Sequence, residues 1–146
     1  MYRKILVPLD GSERAQAILP HVEDLASCYQ ADVLFIQVIE PSVLYASPYD
    51  AYPELNLAEY ESRTPEAEGY LKELVDQYLA EGLAASYRIE HGSVVQTILE
   101  VAEAENVDLI AMVSHGRTGL SRVFYGSVAA GVLHRIDRPL LLIRSQ

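Results

Sequence analysis

The residues best suited to chemistry lie in one run, Val113-Ser114-His115-Gly116-Arg117-Thr118-Gly119-Leu120-Ser121-Arg122-Val123-Phe124-Tyr125-Gly126-Ser127-Val128. Glycines allow backbone N–H groups to approach an anion closely. Arg117 and Arg122 add positive charge to a chain that is otherwise acidic. An apolar stretch from Asp108 to Val113 precedes the run, and Val128, Val132, Leu133 and Ile136 follow it at helical spacing. A strand therefore feeds a Gly-rich basic loop, and the loop feeds a helix whose N-terminus carries positive potential. That combination favours a phosphate, and through it a nucleotide.

A second turn, Asp10-Gly11-Ser12, follows the short apolar run Ile5-Leu6-Val7 and Pro8. Two readings stand side by side: Asp10-Gly11 makes a turn and Ser12 caps a helix, or Asp10 faces a ligand. His115 is readable as an acid/base group or, with better reason, as a hydrogen-bonding loop residue. His21, His91 and His134 are far apart and show no ligand spacing, so a zinc site is not expected. Cys28, the single cysteine, reads as packing within the first helix. The lysine-bearing phosphate loop G-x4-G-K-[S/T] is absent, as is the nucleophile elbow G-x-S-x-G. No general base for activating water is evident. A bound nucleotide is thus expected to be hydrolysed slowly or not at all, which suits a sensor better than a metabolic enzyme.

What positions these residues follows from the rest of the chain. Its 146 residues suit one domain, spanning 1–146, with a sizeable core. Half the residues are hydrophobic and 22% are charged, the balance of a globular domain. The formal net charge of −10 argues against nucleic-acid binding, which needs clustered positive charge. One cysteine permits no intrachain disulfide and fits a reducing compartment. Pro8, Asp10 and Glu13 interrupt the N-terminal apolar run too early for a secretory leader, and no apolar run approaches the ~20 residues of a membrane span. A cytoplasmic location is expected.

The first strand is predicted at Ile5–Val7. A helix follows, with Ala15, Ile18, Leu19, Val22, Leu25 and Ala26 at helical spacing and a slight kink at Pro20. Asp32 to Ile39 is a near-continuous apolar strand, as in a parallel sheet buried on both faces. Residues 40–63 hold Pro41, Pro48, Pro53, Tyr45, Tyr49, Tyr52 and Tyr60 with no clean period, and read either as a binding lid or as an insertion. Thr64-Pro65-Glu66 reads as N-cap, first-turn proline and first-turn acid of the next helix; the alternative starts that helix near Glu54 and kinks it at Pro65. A third strand is predicted at 84–90, a helix behind a Ser93/Gln96 capping box, a fourth strand at 107–113 and a fifth at 139–143. Five strands alternating with helices imply a parallel sheet covered by helices on both faces. The loops after the first and fourth strands then share the edge where ligands bind.

The spacing Gly116, nine residues, Gly126-Ser127 resembles the universal stress protein family, as do Val7-Pro8-Leu9-Asp10-Gly11-Ser12 and Asp108-Leu109-Ile110. The resemblance covers essentially the whole chain. It implies a three-layer α/β/α, Rossmann-like fold with a five-stranded parallel sheet in the order 3-2-1-4-5. It also implies a homodimer in which the C-terminal strand contributes to the contact. One branch of the family binds ATP through G-x2-G-x9-G-[S/T]. In this chain Gly116, Gly126 and Ser127 match, and Val113 stands at the first glycine. If that position needs a positive φ, valine fits poorly; if φ is negative, its Cβ is merely somewhat crowding.

Carried over by position, the resemblance implies that Pro8, Leu9 and Asp10 line the adenosine side, with Asp10 near the ribose or a phosphate-bound Mg²⁺. Val38 would present backbone groups to the adenine edge. Val113, Ser114, His115, Gly116, Arg117, Thr118 and Gly119 would wrap the ribose and phosphates. Gly126, Ser127 and Val128 would meet the phosphates through backbone N–H groups and a hydroxyl. The leading expectation is a regulatory, stress-response ATP-binding module acting on a protein partner the sequence does not name. The rivals are a non-nucleotide interaction module of the same fold, favoured by Val113, and a slow ATPase or adenylyl-transferring enzyme using His115 or Asp10. An FMN protein is a more distant alternative.

Overall fold

The computed structural model describes residues 1–41, 43–44, 54–55, 57–114 and 126–145. Five parallel strands form the central sheet: β1 (Lys4–Pro8), β2 (Asp32–Ile39), β5 (Ala85–His91), β6 (Leu109–Val113) and β7 (Leu140–Ile143). A two-stranded antiparallel hairpin of β3 (Val43–Leu44) and β4 (Glu54–Leu55) stands apart from it. The sheet order is β5-β2-β1-β6-β7, which in terms of the five main strands is the expected 3-2-1-4-5. β1 is central because Ile5, Leu6 and Val7 are apolar towards both layers, and all three are fully buried. Its register runs Lys4↔Asp32 to Pro8↔Ile36 on one side and Ile5↔Leu109 on the other.

Strand alternation splits the core in two. Val7, Val33, Phe35, Ala111 and Val113 face α1 (Leu19–Tyr29) and α2 (Leu57–Ala80). Leu6, Leu34, Ile36, Ile110 and Met112 face α3 (Val94–Ala104) and α4 (Ser127–Arg135). The Phe35 and Tyr78 rings meet edge to face at 5.0 Å, pinning α2 to β2. The Asp108 carboxylate accepts the N–H groups of Arg3 (2.8 Å) and Lys4 (2.9 Å), fixing the start of β1 beside β6.

Four local expectations are corrected. Cys28 does not pack inside the protein but is exposed near the end of α1. Pro20 does not kink a helix; a 3-10 turn (Ala15–Ile18) precedes α1, and Pro20 falls in the first turn of α1, where its missing N–H costs no hydrogen bond. Thr64 does not cap a helix. Helix α2 starts at Leu57 and passes through Pro65, in keeping with the alternative reading. The turns ahead of Pro65 are held from outside: Thr64 Oγ1 lies 3.0 Å from His91 Nε2, the Tyr60 ring packs on His91, and Arg63 Nη1 donates to the Glu40 carbonyl (3.2 Å). The Ser93/Gln96 capping box does not form. Ser93 makes no capping hydrogen bond through its side chain, and Gln96 Nε2 donates to Glu100 Oε1 (2.8 Å). The Glu40 carboxylate instead accepts the N–H of Val94 (3.3 Å), a long-range cap that no local pattern announces. No described helix is long and apolar enough to cross a membrane.

Candidate functional site

β1 and β6 are neighbours, and the chain leaves them in opposite directions along the sheet, which opens a crevice at their C-terminal ends. A cleft of about 310 Å³ lies there. Pro8, Leu9, Asp10 and Ala15 line it from the β1 side, Ile36, Gln37, Val38 and Glu40 from β2, and Met112, Val113 and Ser114 from β6. Arg63, Val94 and Ile98 contribute from α2 and α3, and Gly126, Ser127, Val128 and Ala129 from the start of α4. Nine residues singled out in the sequence therefore share one cleft: Pro8, Leu9, Asp10, Val38, Val113, Ser114, Gly126, Ser127 and Val128. His115, Gly116, Arg117, Thr118, Gly119 and Arg122 lie outside the described residues, as do Tyr45, Tyr49 and Tyr52.

Beside the side chains of Asp10, Gln37, Glu40, Arg63, Ser114 and Ser127, the cleft meets polar groups of the backbone. Along β2, Asp32 donates to Arg3 and Ile36 accepts from Leu9 (both 2.9 Å), so even-numbered residues face β1. Val33 donates to Ala84 and Ile39 accepts from Gly92, so odd-numbered residues face β5. The β1–β2 ladder closes, among the described residues, on the Leu9-to-Ile36 bond. The N–H and C=O of Val38 point past that closing bond, one donor and one acceptor side by side. At the other end, the first i→i−4 bond of α4 runs from Ala130 N–H to Gly126 C=O (2.9 Å). The N–H groups of Ser127, Val128 and Ala129 precede it and open onto the cleft. The N–H of Gly126 is spent on the Ser114 carbonyl at 2.7 Å, a bond that ties the start of α4 to the end of β6. Of the three N–H groups expected to meet a phosphate, those of Ser127 and Val128 keep that geometry.

Asp10 is fixed by its own turn. The N–H of Ser12 (2.9 Å) and the Ser12 hydroxyl both donate to Asp10 Oδ1, with Gly11 between them at φ 81°. Ser12 Oγ in turn accepts the Ala15 N–H (3.2 Å), so turn, cap and cleft-lining carboxylate coexist at one place. Behind it, the Tyr70 hydroxyl is sealed from solvent and meets no partner at good hydrogen-bond geometry among the described residues. Burial raises its pKa, the Gln16 side chain beside it pulls the other way, and the Asp10 charge raises it further. Val113 sits in extended β6, paired with Ile143, and the described non-glycine residues with positive φ are Gln30 and Asn106. Valine at this position therefore carries no backbone strain. Among the described residues no group of three or more His, Cys, Asp or Glu side chains could hold a metal ion.

The Universal stress protein family model matches residues 1–144. The chain belongs to the universal stress protein family. Universal stress protein MJ0577 of Methanocaldococcus jannaschii is 29% identical over 157 residues, covering 99% of this chain and 96% of the relative. A universal stress protein of Methanothermobacter thermautotrophicus is 30% identical over 148 residues, covering 99% and 97%. The solved structure of MJ0577 superposes with a TM-score of 0.81 at 28% sequence identity, over 100% of this chain and 98% of that one. Two further structures share the fold at 19% identity. One is a universal stress protein in complex with cAMP (TM-score 0.72, covering 99% and 98%), and the other is the Archaeoglobus fulgidus protein in complex with dAMP (TM-score 0.67, covering 97% and 98%). Fold order and family thus agree with the expectation from Gly116, Gly126 and Ser127. Position-by-position reading missed Gln37, Glu40, Arg63 and Val94. Only Gln37 carried a signal, as a lone polar residue inside the apolar run 33–39.

Proposed function

We propose that this chain binds an adenine nucleotide, ATP foremost, and acts as a regulatory module with little or no hydrolysis. The observation that carries the reading is the pair of backbone sites at opposite ends of one cleft. The Val38 edge offers a donor and an acceptor at the spacing of a purine edge. The α4 N-terminus offers Ser127 and Val128 N–H groups to phosphate. Val38, Ser127 and Val128 all line that one cleft, so a single nucleotide meets both sites. The fold relatives in complex with cAMP and dAMP support the adenine choice. In this reading Asp10, which lines the cleft, meets the ribose hydroxyls or Mg²⁺ carried in on the phosphates; one carboxylate suits an ion that draws its other ligands from the nucleotide.

Asp10 Oδ1 already accepts the Ser12 N–H and hydroxyl, which suits a group that orients a ligand rather than one that cleaves it. The chain pairs with a second copy through β7, whose half-buried Leu140–Ile143 form one edge of the sheet, and it works in the cytoplasm on a protein partner. Native mass spectrometry of the purified chain, followed by calorimetric titration with ATP, tests the reading. One ATP per chain in a dimer is the expected result. A chain that carries no nucleotide and gives no heat with ATP, ADP, AMP or cAMP refutes it and returns the non-nucleotide module.

A further inference from the structure

The two buried polar residues among the described ones, Gln37 and Ser114, both line the cleft. Gln37 is 8% exposed, and its Oε1 is sealed from solvent with no hydrogen-bond partner among the described residues. Its neighbours along β2, Val33, Leu34, Phe35, Ile36 and Ile39, are buried and apolar. An orphaned acceptor destabilises the fold, and an apolar side chain of the same size would remove that cost. Violations of this kind concentrate where a site demands them. Gln37 also directly precedes Val38, whose backbone donor and acceptor face the same cleft.

We infer that Gln37 is a specificity-determining residue that reads the exocyclic amine of the bound base. The inference rests on the adenine-nucleotide reading of the cleft. Adenine carries two hydrogens on N6. The Val38 carbonyl accepts one and leaves the second for another acceptor beside it. A carboxamide is the side chain whose geometry matches the amine and N7 of adenine. The terminal torsion of glutamine is broad and soft, so the amide turns Oε1 into the cleft without moving the strand. A base with oxygen in place of the amine meets two acceptors there and is rejected.

The test compares ATP with inosine triphosphate on the wild-type chain and on Gln37→Leu, with Gln37→Met as a second, unbranched replacement should the leucine variant fold poorly. Each variant is first melted without nucleotide, and a midpoint equal to or above wild type is expected. The ATP dissociation constant should then rise about tenfold. That for inosine triphosphate should change far less, so that the preference between them shrinks by a similar factor. Unchanged ATP affinity in a folded variant overturns the inference and leaves the adenine reading standing, and so does an equal fall for both nucleotides. Failure of the wild-type chain to bind either nucleotide overturns both.

Discussion

Gly131 sits in the middle of α4 where that helix crosses α3. A Cβ built there would lie 2.7 Å from Val95 Cγ2 and 3.2 Å from Cγ1. Ordinary carbon contacts begin near 3.4 Å, so Gly131→Ala requires a retreat of about 0.7 Å. Valine on a helix is held in one χ1 rotamer, and both of its methyl groups already crowd the position, so rotation offers no escape. The helices must part. Overpacking of this kind costs about 1–3 kcal/mol, while alanine returns about 1 kcal/mol of helix propensity relative to glycine. The expected net loss is about 1 kcal/mol. Because α4 begins one turn earlier at the cleft-lining Ser127, the displacement should also weaken nucleotide binding. Urea denaturation of Gly131→Ala, of Val95→Ala and of the double variant measures the pair directly. With Val95 truncated, the Gly131→Ala change should become stabilising by up to about 1 kcal/mol. An effect of the same size and sign in both backgrounds would refute the steric argument.

Other expectations follow from single contacts. Ser127→Asp places a negative charge in the first turn of α4, which should raise stability by about 0.3–1 kcal/mol while abolishing ATP binding. Melting and titration on the same sample read the two opposed signs, and retained ATP affinity would argue against phosphate at this terminus. Tyr70→Phe removes the buried hydroxyl that meets no partner at good hydrogen-bond geometry among the described residues and should leave the chain equally or more stable by up to about 1 kcal/mol; a clear loss by urea denaturation would reveal a role for that oxygen. The pKa of Asp108 is lowered, chiefly by the Arg3 N–H, and that of Glu105 chiefly by Lys4. Each therefore contributes stability that is fully present above the unfolded-state carboxylate pKa and lost as pH falls through the lower folded value. Urea midpoints should drop below about pH 4, and less steeply in Asp108→Asn; identical pH profiles for the two proteins would exclude Asp108 as a contributor.

The strands were legible because burial on both faces leaves an unmistakable apolar run, as at Ile5–Val7 and 33–39. The place of the cleft was legible because topology puts the turns after β1 and β6 on one edge whatever their side chains. What escaped was set by distant contacts. Thr64-Pro65-Glu66 has every local mark of a helix start, yet contacts to His91 and Glu40 hold the helix together ahead of the proline. Ser93 has the sequence of a capping box, yet a glutamate 53 residues earlier in the chain supplies the cap. Local spacing encodes the free energy of a segment alone, and at both places tertiary contacts outweigh it. The candidate site falls between these cases. Asp10, Val113 and Ser127 could be found by position, whereas the donor and acceptor of Val38 could be aimed only once the end of the β1–β2 ladder was known.

That the cleft presents main-chain polar groups at Val38, Ser127 and Val128 has a consequence for how the site responds to mutation. Replacing Val38, Ser127 or Val128 by alanine leaves every peptide N–H and carbonyl in place, so an alanine scan passes over any contact these groups make almost silently. Only changes to the peptide link itself, a proline at 127 or 128 or an ester in place of an amide, remove them. The side chains at those three positions are correspondingly free to drift, because there the path of the chain, and not its alphabet, carries the polar groups, whereas Asp10 and Gln37 are held by what their side chains do.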